Sequence, residues 1–204
     1  LKEEFIMSLM TATPYKINNM ELKNRIIMLV MHTAFAKGGK LSEEDYAFFE
    51  ARAKGSPAAI TQVVGINDEG TADSMPNVTD ESFFDAEKRI TDMIHSYGTK
   101  HIVQLFHRGR NAASDKGLKP IAPSNVPSGI YRNECEVMTA EKIEETVKAF
   151  ADAALKLKEI GVDAVEVSMS AGYLLSLFFS PITNLRDDEY GGDEERRMKA
   201  PLDV

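Results

Sequence analysis

The 204-residue chain has one cysteine, Cys135, and no tryptophan. A single thiol excludes an internal disulfide framework and a thiolate metal cluster, and gives no sign of an oxidising compartment. Basic residues are outnumbered, 24 Lys plus Arg against 32 Asp plus Glu, for a formal net charge of -8. With no basic stripe, nothing invites a phosphate backbone, so no nucleic-acid partner is expected. No apolar run reaches the roughly 18 residues that cross a bilayer. Residues 1–10 contain Lys2, Glu3 and Glu4 and lack the apolar stretch of a signal peptide. No membrane partner and a cytoplasmic location are therefore expected. Also missing is a glycine-rich dinucleotide turn after any strand, which lowers the case for a Rossmann sheet.

What remains is an ordinary globular balance, 43% hydrophobic and 27% charged with 13 glycines and 8 prolines. Short apolar runs alternate with amphipathic ones. Residues 26–31 are continuously apolar, as expected of a strand covered on both faces. Ser42 offers an N-cap, Glu43, Glu44 and Asp45 an acidic first turn, and Tyr46, Phe49 and Ala53 one helical face ending at Gly55. Residues 58–64 read as a second buried strand. A helix beginning near Thr79 carries Ala86, Ile90, Met93, Ile94 and Tyr97, and residues 101–105 are a third strand. After a Pro-, Gly- and Ser-rich excursion over 108–138, Thr139 caps a helix whose Ile143, Val147, Phe150, Ala151, Ala154 and Leu157 recur at helical spacing. Residues 164–167 are the fourth strand. Residues 171–177 can turn helical, and the chain closes in a polar loop around Gly191 and Gly192.

Strands alternating with helices imply parallel pairing through right-handed crossovers. The helix-to-strand returns are short, whereas the strand-to-helix loops are long and polar, as in a barrel with its chemistry on the βα loops. The expected fold class is α/β, a parallel (β/α)8 TIM barrel of which this chain supplies the first four β/α units, with 1–20 as lead-in and 21–204 as the units. A complete barrel needs about 250 residues. An open half leaves unpaired edges and an apolar face, so the chain is either part of a longer one or pairs with a second copy.

Several blocks carry a resemblance. They are the run at 22–28, Glu50 to Gly55, Val103 to Arg110, Ile121 to Ser124, and Gly172-Tyr173-Leu174-Leu175 onward through Ser180-Pro181, Thr183-Asn184, Arg186, Asp188 to Gly192, and Arg197. In these the chain resembles the old yellow enzyme family of FMN-dependent NADH:flavin oxidoreductases. Met31-His32-Thr33 and the lack of a histidine pair are most similar to the 2,4-dienoyl-CoA reductase branch. The resemblance implies FMN as cofactor, NAD(P)H as reductant and a small unsaturated acyl or enone substrate. In a longer chain it also implies an iron–sulfur cluster and FAD.

By family position, Leu29, Val30, Met31 and His32 lie alongside the isoalloxazine and Val63 sits near the ring. Gln104 bonds the pyrimidine edge, Thr33, Ser168 and Ala171 fall at the substrate, and Tyr173 is the proton donor opposite the hydride. Two departures stand out. Ser168 and Ala171 occupy positions where the family usually grips the substrate carbonyl with His and His or Asn; losing such a clamp costs roughly a hundredfold in rate. Leu29 and Val30 replace a smaller or proline-containing pair.

Each residue also has a plainer reading. Gln104 can satisfy its amide on a neighbouring loop, and Tyr173 can be a packed aromatic. Glu166 is expected as a buried carboxylate paired with Arg or a backbone donor. Arg108 and Arg110 are expected on the surface. His32 and His107, ending two strands read as neighbours, have no third ligand at metal-binding spacing, so no metal is expected. The rival to a flavin enzyme is a non-catalytic half-barrel module that binds no flavin.

Overall fold

The computed structural model describes residues 10–112, 117–130, 132 and 134–204, so residues 1–9, which carry most of the leader expectation, lie outside the described residues. An antiparallel hairpin, β1 (Tyr15–Ile17) and β2 (Met20–Leu22), leads into β3 (Ile27–Met31). Then come α1 (Glu43–Ala53), β4 (Ala59–Gly65), α2 (Phe83–Ser96) and β5 (Lys100–Phe106). A short pair, β6 (Ile121–Ala122) and β7 (Glu136–Val137), precedes α3 (Ala140–Glu159), β8 (Ala164–Val167), α4 (Leu174–Phe179) and α5 (Glu194–Asp203).

β3, β4, β5 and β8 form one parallel sheet in that order, with Val63 opposite Gln104 and Gln104 opposite Glu166. Alternation along each strand divides the residues between two faces. Toward the helices, Ile60 packs with Phe49 of α1 and Ile90 of α2, while Val64, Val103 and Leu105 pack with Phe150 and Leu157 of α3. On the concave face, Ala59 and Ile102 pack with Leu22, so the hairpin closes the amino-terminal end of the strands. Each fully buried Phe or Leu in these layers contributes about 1.5–3 kcal/mol.

Local signals explain the helix starts. Ser42 caps α1 in a reciprocal capping box with Asp45, and Thr139 accepts the Lys142 N–H at the start of α3. The second helix starts at Phe83 rather than near Thr79, because Thr79 donates its hydroxyl to Asp68 and Val78 bonds back to Gly65. The polar loop expected at the C-terminus is helix α5, capped by Asp193, which accepts the Arg196 N–H.

β3 differs from the expectation of burial on both faces. β3 and β8 each pair on one side only, and Leu29 is 75% and Val165 41% exposed. These are the edges of an open half. Of the four strands in this sheet, β4 is the one buried along its whole length.

Polar residues lie unexpectedly within the helix-facing layer. Glu87, His101, Thr91 and Gln62 are all buried there. Thr91 donates its only hydroxyl proton to the Glu87 carbonyl, so it accepts from His101 Nδ1 at 3.0 Å. That tautomer leaves the His101 Nε2 lone pair 3.6 Å from Glu87 Oε1, while Gln62 Nε2 donates to Oε2 at 3.1 Å. Burial pushes the Glu87 carboxyl up to about 8, with the Asp45 charge adding, and pushes His101 down to about 3. Both groups are therefore neutral at pH 7, which is how a buried pair avoids two desolvated charges.

The sign of the pH effect follows by linkage. Glu87 keeps in the fold a proton that an ordinary carboxyl loses near 4.5, so its contribution to stability falls as pH rises toward 8. His101 lacks a proton that an ordinary imidazole binds below 6.5, so its contribution falls as pH drops toward 3. The two slopes oppose between 4.5 and 6.5, and Glu87 acts alone above 6.5. Glu87→Gln, an isostere of the protonated acid, is expected to remove the loss of stability between about pH 6.5 and 8. At the alkaline end it should gain on the order of 1 kcal/mol or more over wild type. Urea unfolding as a function of pH checks this; parallel wild-type and variant curves would refute it.

Candidate active site at the strand ends

The carboxyl ends of the parallel strands and the loops after them enclose a cavity of about 190 Å³ lined by Val30, His32, Val63, Met75, Gln104, Phe106, Arg108 and Tyr173. Its floor is apolar: Val63, Met75 and Phe106 form a buried cluster against which Val30 and Tyr173 pack. The Tyr173 ring stands edge-on to Phe106, centroids 4.4 Å apart and planes at 70°.

Tyr173 is held by its backbone. It is the N-cap of α4, its carbonyl accepts from Leu177 N–H, and the next N–H, of Leu174, bonds the His107 carbonyl at 3.1 Å. Asn111 Nδ2 donates to the Gly172 carbonyl at 3.1 Å and takes the Ser128 hydroxyl on its own oxygen. The chain enters this turn through Ala171 and Gly172, both left-handed at φ 57° and 74°. Gly109 (φ 56°) lets the β5 loop touch it, because a Cβ there would lie 2.9 Å from Leu174 Cα.

His32 and His107 do not converge, because β4 lies between their strands. The exposed His32 donates from Nε2 to the Ser74 carbonyl at 3.1 Å. His107 is buried, its Nδ1 accepts the Gly109 N–H at 3.0 Å, and burial pushes it down to about 3. It is a loop organiser packed against Gly70, where a Cβ would meet its ring at 2.3 Å.

Five of the residues expected at the site, Val30, His32, Val63, Gln104 and Tyr173, share this cavity. Leu29 and Met31 do not line it; their side chains are exposed on the edge strand. Thr33 donates to the buried Asp45 at 2.6 Å, which ties the end of β3 to the start of α1. Ser168 is buried and Ala171 exposed, and neither lines the cavity.

Glu166 is exposed, not buried, and takes the Gln104 amide N–H rather than an arginine or a backbone donor. Gln104 thus bonds the neighbouring strand, not a loop. Arg108, expected on the surface, lines the cavity, whereas Arg110 Nη1 bonds the Val126 and Pro127 carbonyls. Phe106 and Arg108 were detectable in principle, since positions 104, 106 and 108 follow the two-residue strand period. Met75 comes from the loop after β4 and has no such local signal.

The strand-end cavity thus combines an apolar floor with one amide, one tyrosine and one arginine among its lining residues, at the rim where parallel barrels carry their binding sites. The chain belongs to the NADH:flavin oxidoreductase / NADH oxidase family, whose model matches residues 12–204. It is 39% identical over 194 residues to a metal reductase of Desulforamulus reducens, covering 94% of this chain and 29% of that protein. With the NADPH dehydrogenase of Bacillus subtilis it shares 34% identity over 191 residues, covering 92% of this chain and 56% of the relative. Old yellow enzyme from Pichia sp. AKU4542 superposes with a TM-score of 0.87 at 27% identity, covering 95% of this chain and 54% of that one. The four β/α units are therefore the first part of a (β/α)8 barrel, and the chain spans about half or less of the length of these relatives.

Gly109→Ala is expected to cost about 1–3 kcal/mol, from the left-handed φ and the collision with Leu174. It should also loosen the Tyr173 turn. Chemical denaturation and hydrogen exchange at Leu174 N–H check both, and unchanged protection at Leu174 would refute the coupling.

Proposed function

We propose that this chain is the N-terminal half of the FMN-binding barrel of a flavin-dependent NAD(P)H oxidoreductase that reduces an α,β-unsaturated acyl or enone compound. The supporting observation is the shared cavity, in which Gln104 and Tyr173 both border one apolar floor. The residues present fit the cofactor: Val30 and Val63 supply a surface for the ring, Gln104 its polar edge, and the cavity between them and Tyr173 is open. Bound FMN would accept hydride from NAD(P)H and deliver it to the substrate alkene.

The chain's own part is positional and acidic. Tyr173, clamped by its backbone and by the Phe106 edge, holds a hydroxyl proton for the substrate carbon opposite the hydride. Arg108 and His32 add polar groups at the rim for the oxygen end of the substrate, where Ser168 and Ala171 leave the usual carbonyl clamp unfilled. The open edges of β3 and β8 await the remaining strands, so the 204 residues alone are expected to be inactive. An iron–sulfur cluster and FAD belong to this proposal only in a longer chain. The relative named a metal reductase makes metal ions a second class of acceptor to assay.

The unfilled carbonyl clamp favours a second reading, a half-barrel module that binds no flavin. Absorbance of the purified intact protein near 450 nm separates the two. A band that bleaches with NADH supports the enzyme; a colourless protein that ignores added FMN supports the module. In the flavoprotein, Tyr173→Phe is expected to slow alkene reduction by roughly 10²–10⁴-fold while leaving flavin reduction by NADH intact. Stopped-flow measurement of the two half-reactions checks this, and equal slowing of both would refute the assigned role.

A further inference from the structure

The apolar floor of the cavity has one polar row beside it, and that row is shared between strands. Gln104 lies directly opposite Glu166 across the β5–β8 ladder, and Gln104 Nε2 donates to Glu166 Oε1. A carboxylate can only accept, whereas a primary amide accepts at one end and donates at the other. Turning the Gln104 amide over would set two oxygens against each other, so the carboxylate fixes which way the amide faces. With one N–H consumed, Gln104 keeps its carbonyl and a second N–H for a ligand in the cavity it lines. An acceptor beside a donor matches an imide edge, where an N–H stands next to a C=O.

We infer that Glu166 is a positioning residue that locks the Gln104 amide in the orientation needed to read the imide edge of the flavin pyrimidine ring; this rests on the flavin reading above. The hydrogen bond is not needed to hold β8 in place, because the backbone ladder already pairs Ile102 to Leu105 with Ala164 to Val167. It crosses between side chains on the concave face, beside Val63 in the same register. A negative charge at that place also opposes reduction of a ring bound next to it.

The test uses the intact flavoprotein with Glu166→Ala and the isosteric Glu166→Gln. The alanine variant, which leaves the amide free to turn, is expected to bind FMN about tenfold more weakly. The glutamine variant, which can pair with either face of the amide, should fall between it and wild type. Both should raise the midpoint potential of the bound flavin, while melting of the FMN-free protein stays at the wild-type temperature. Unchanged FMN affinity and potential would overturn the inference, as would weaker binding accompanied by an equal loss of stability in the FMN-free protein. A wild-type protein that takes up no FMN would instead remove the flavin reading, and this inference with it. If only the glutamine variant folds, its potential decides.

Discussion

The parallel pairing of β3, β4, β5 and β8 is the constraint on which the rest depends. Parallel strands bring all their carboxyl ends to one rim, so loops distant in sequence must meet there. Register then decides which side chains become neighbours: Val63, Gln104 and Glu166 stand in one row because their strands are aligned as they are. A slip of one residue would send each of them to the helix-facing layer.

The two faces of the sheet treat charge in opposite ways. On the helix side, Glu87 and His101 are fully enclosed, and burial drives both to their neutral forms. On the concave side the polar groups keep access to water or ligand: Glu166 and His32 are exposed, and Arg108 reaches the cavity. A binding site needs the second arrangement, because only groups open to the cavity can orient a ligand. The buried pair concerns stability.

The Tyr173 turn shows how the rim is made stiff without a long element of its own. Asn111, Gly109 and the His107 carbonyl all come from the loop after β5, and all contact the turn after β8. Two adjacent strand ends thus brace each other, with the aromatic edge contact between Phe106 and Tyr173 as the side-chain counterpart. On the other flank, β3 and β8 expose free edges and apolar side chains such as Leu29 and Val165. The relatives, about twice as long or longer, have chain to spare for covering such a surface.

Much of this was legible in the order of the residues. Short continuous apolar runs located the four main strands, and helical periodicity the helices capped by Ser42 and Thr139. The motif around Gly172-Tyr173 and the glutamine inside the third strand pointed to the rim. The start of α2, helix α5 and the short β6–β7 pair were missed, because capping and pairing partners there outweigh a weak apolar pattern. What only the folded chain decided is which polar groups meet: Glu166 with Gln104, Thr33 with Asp45, and Glu87 with His101. Periodicity assigns a side chain to a face from its near neighbours alone. A partner across the sheet depends on strand register and helix docking, which are set by contacts far apart in the chain.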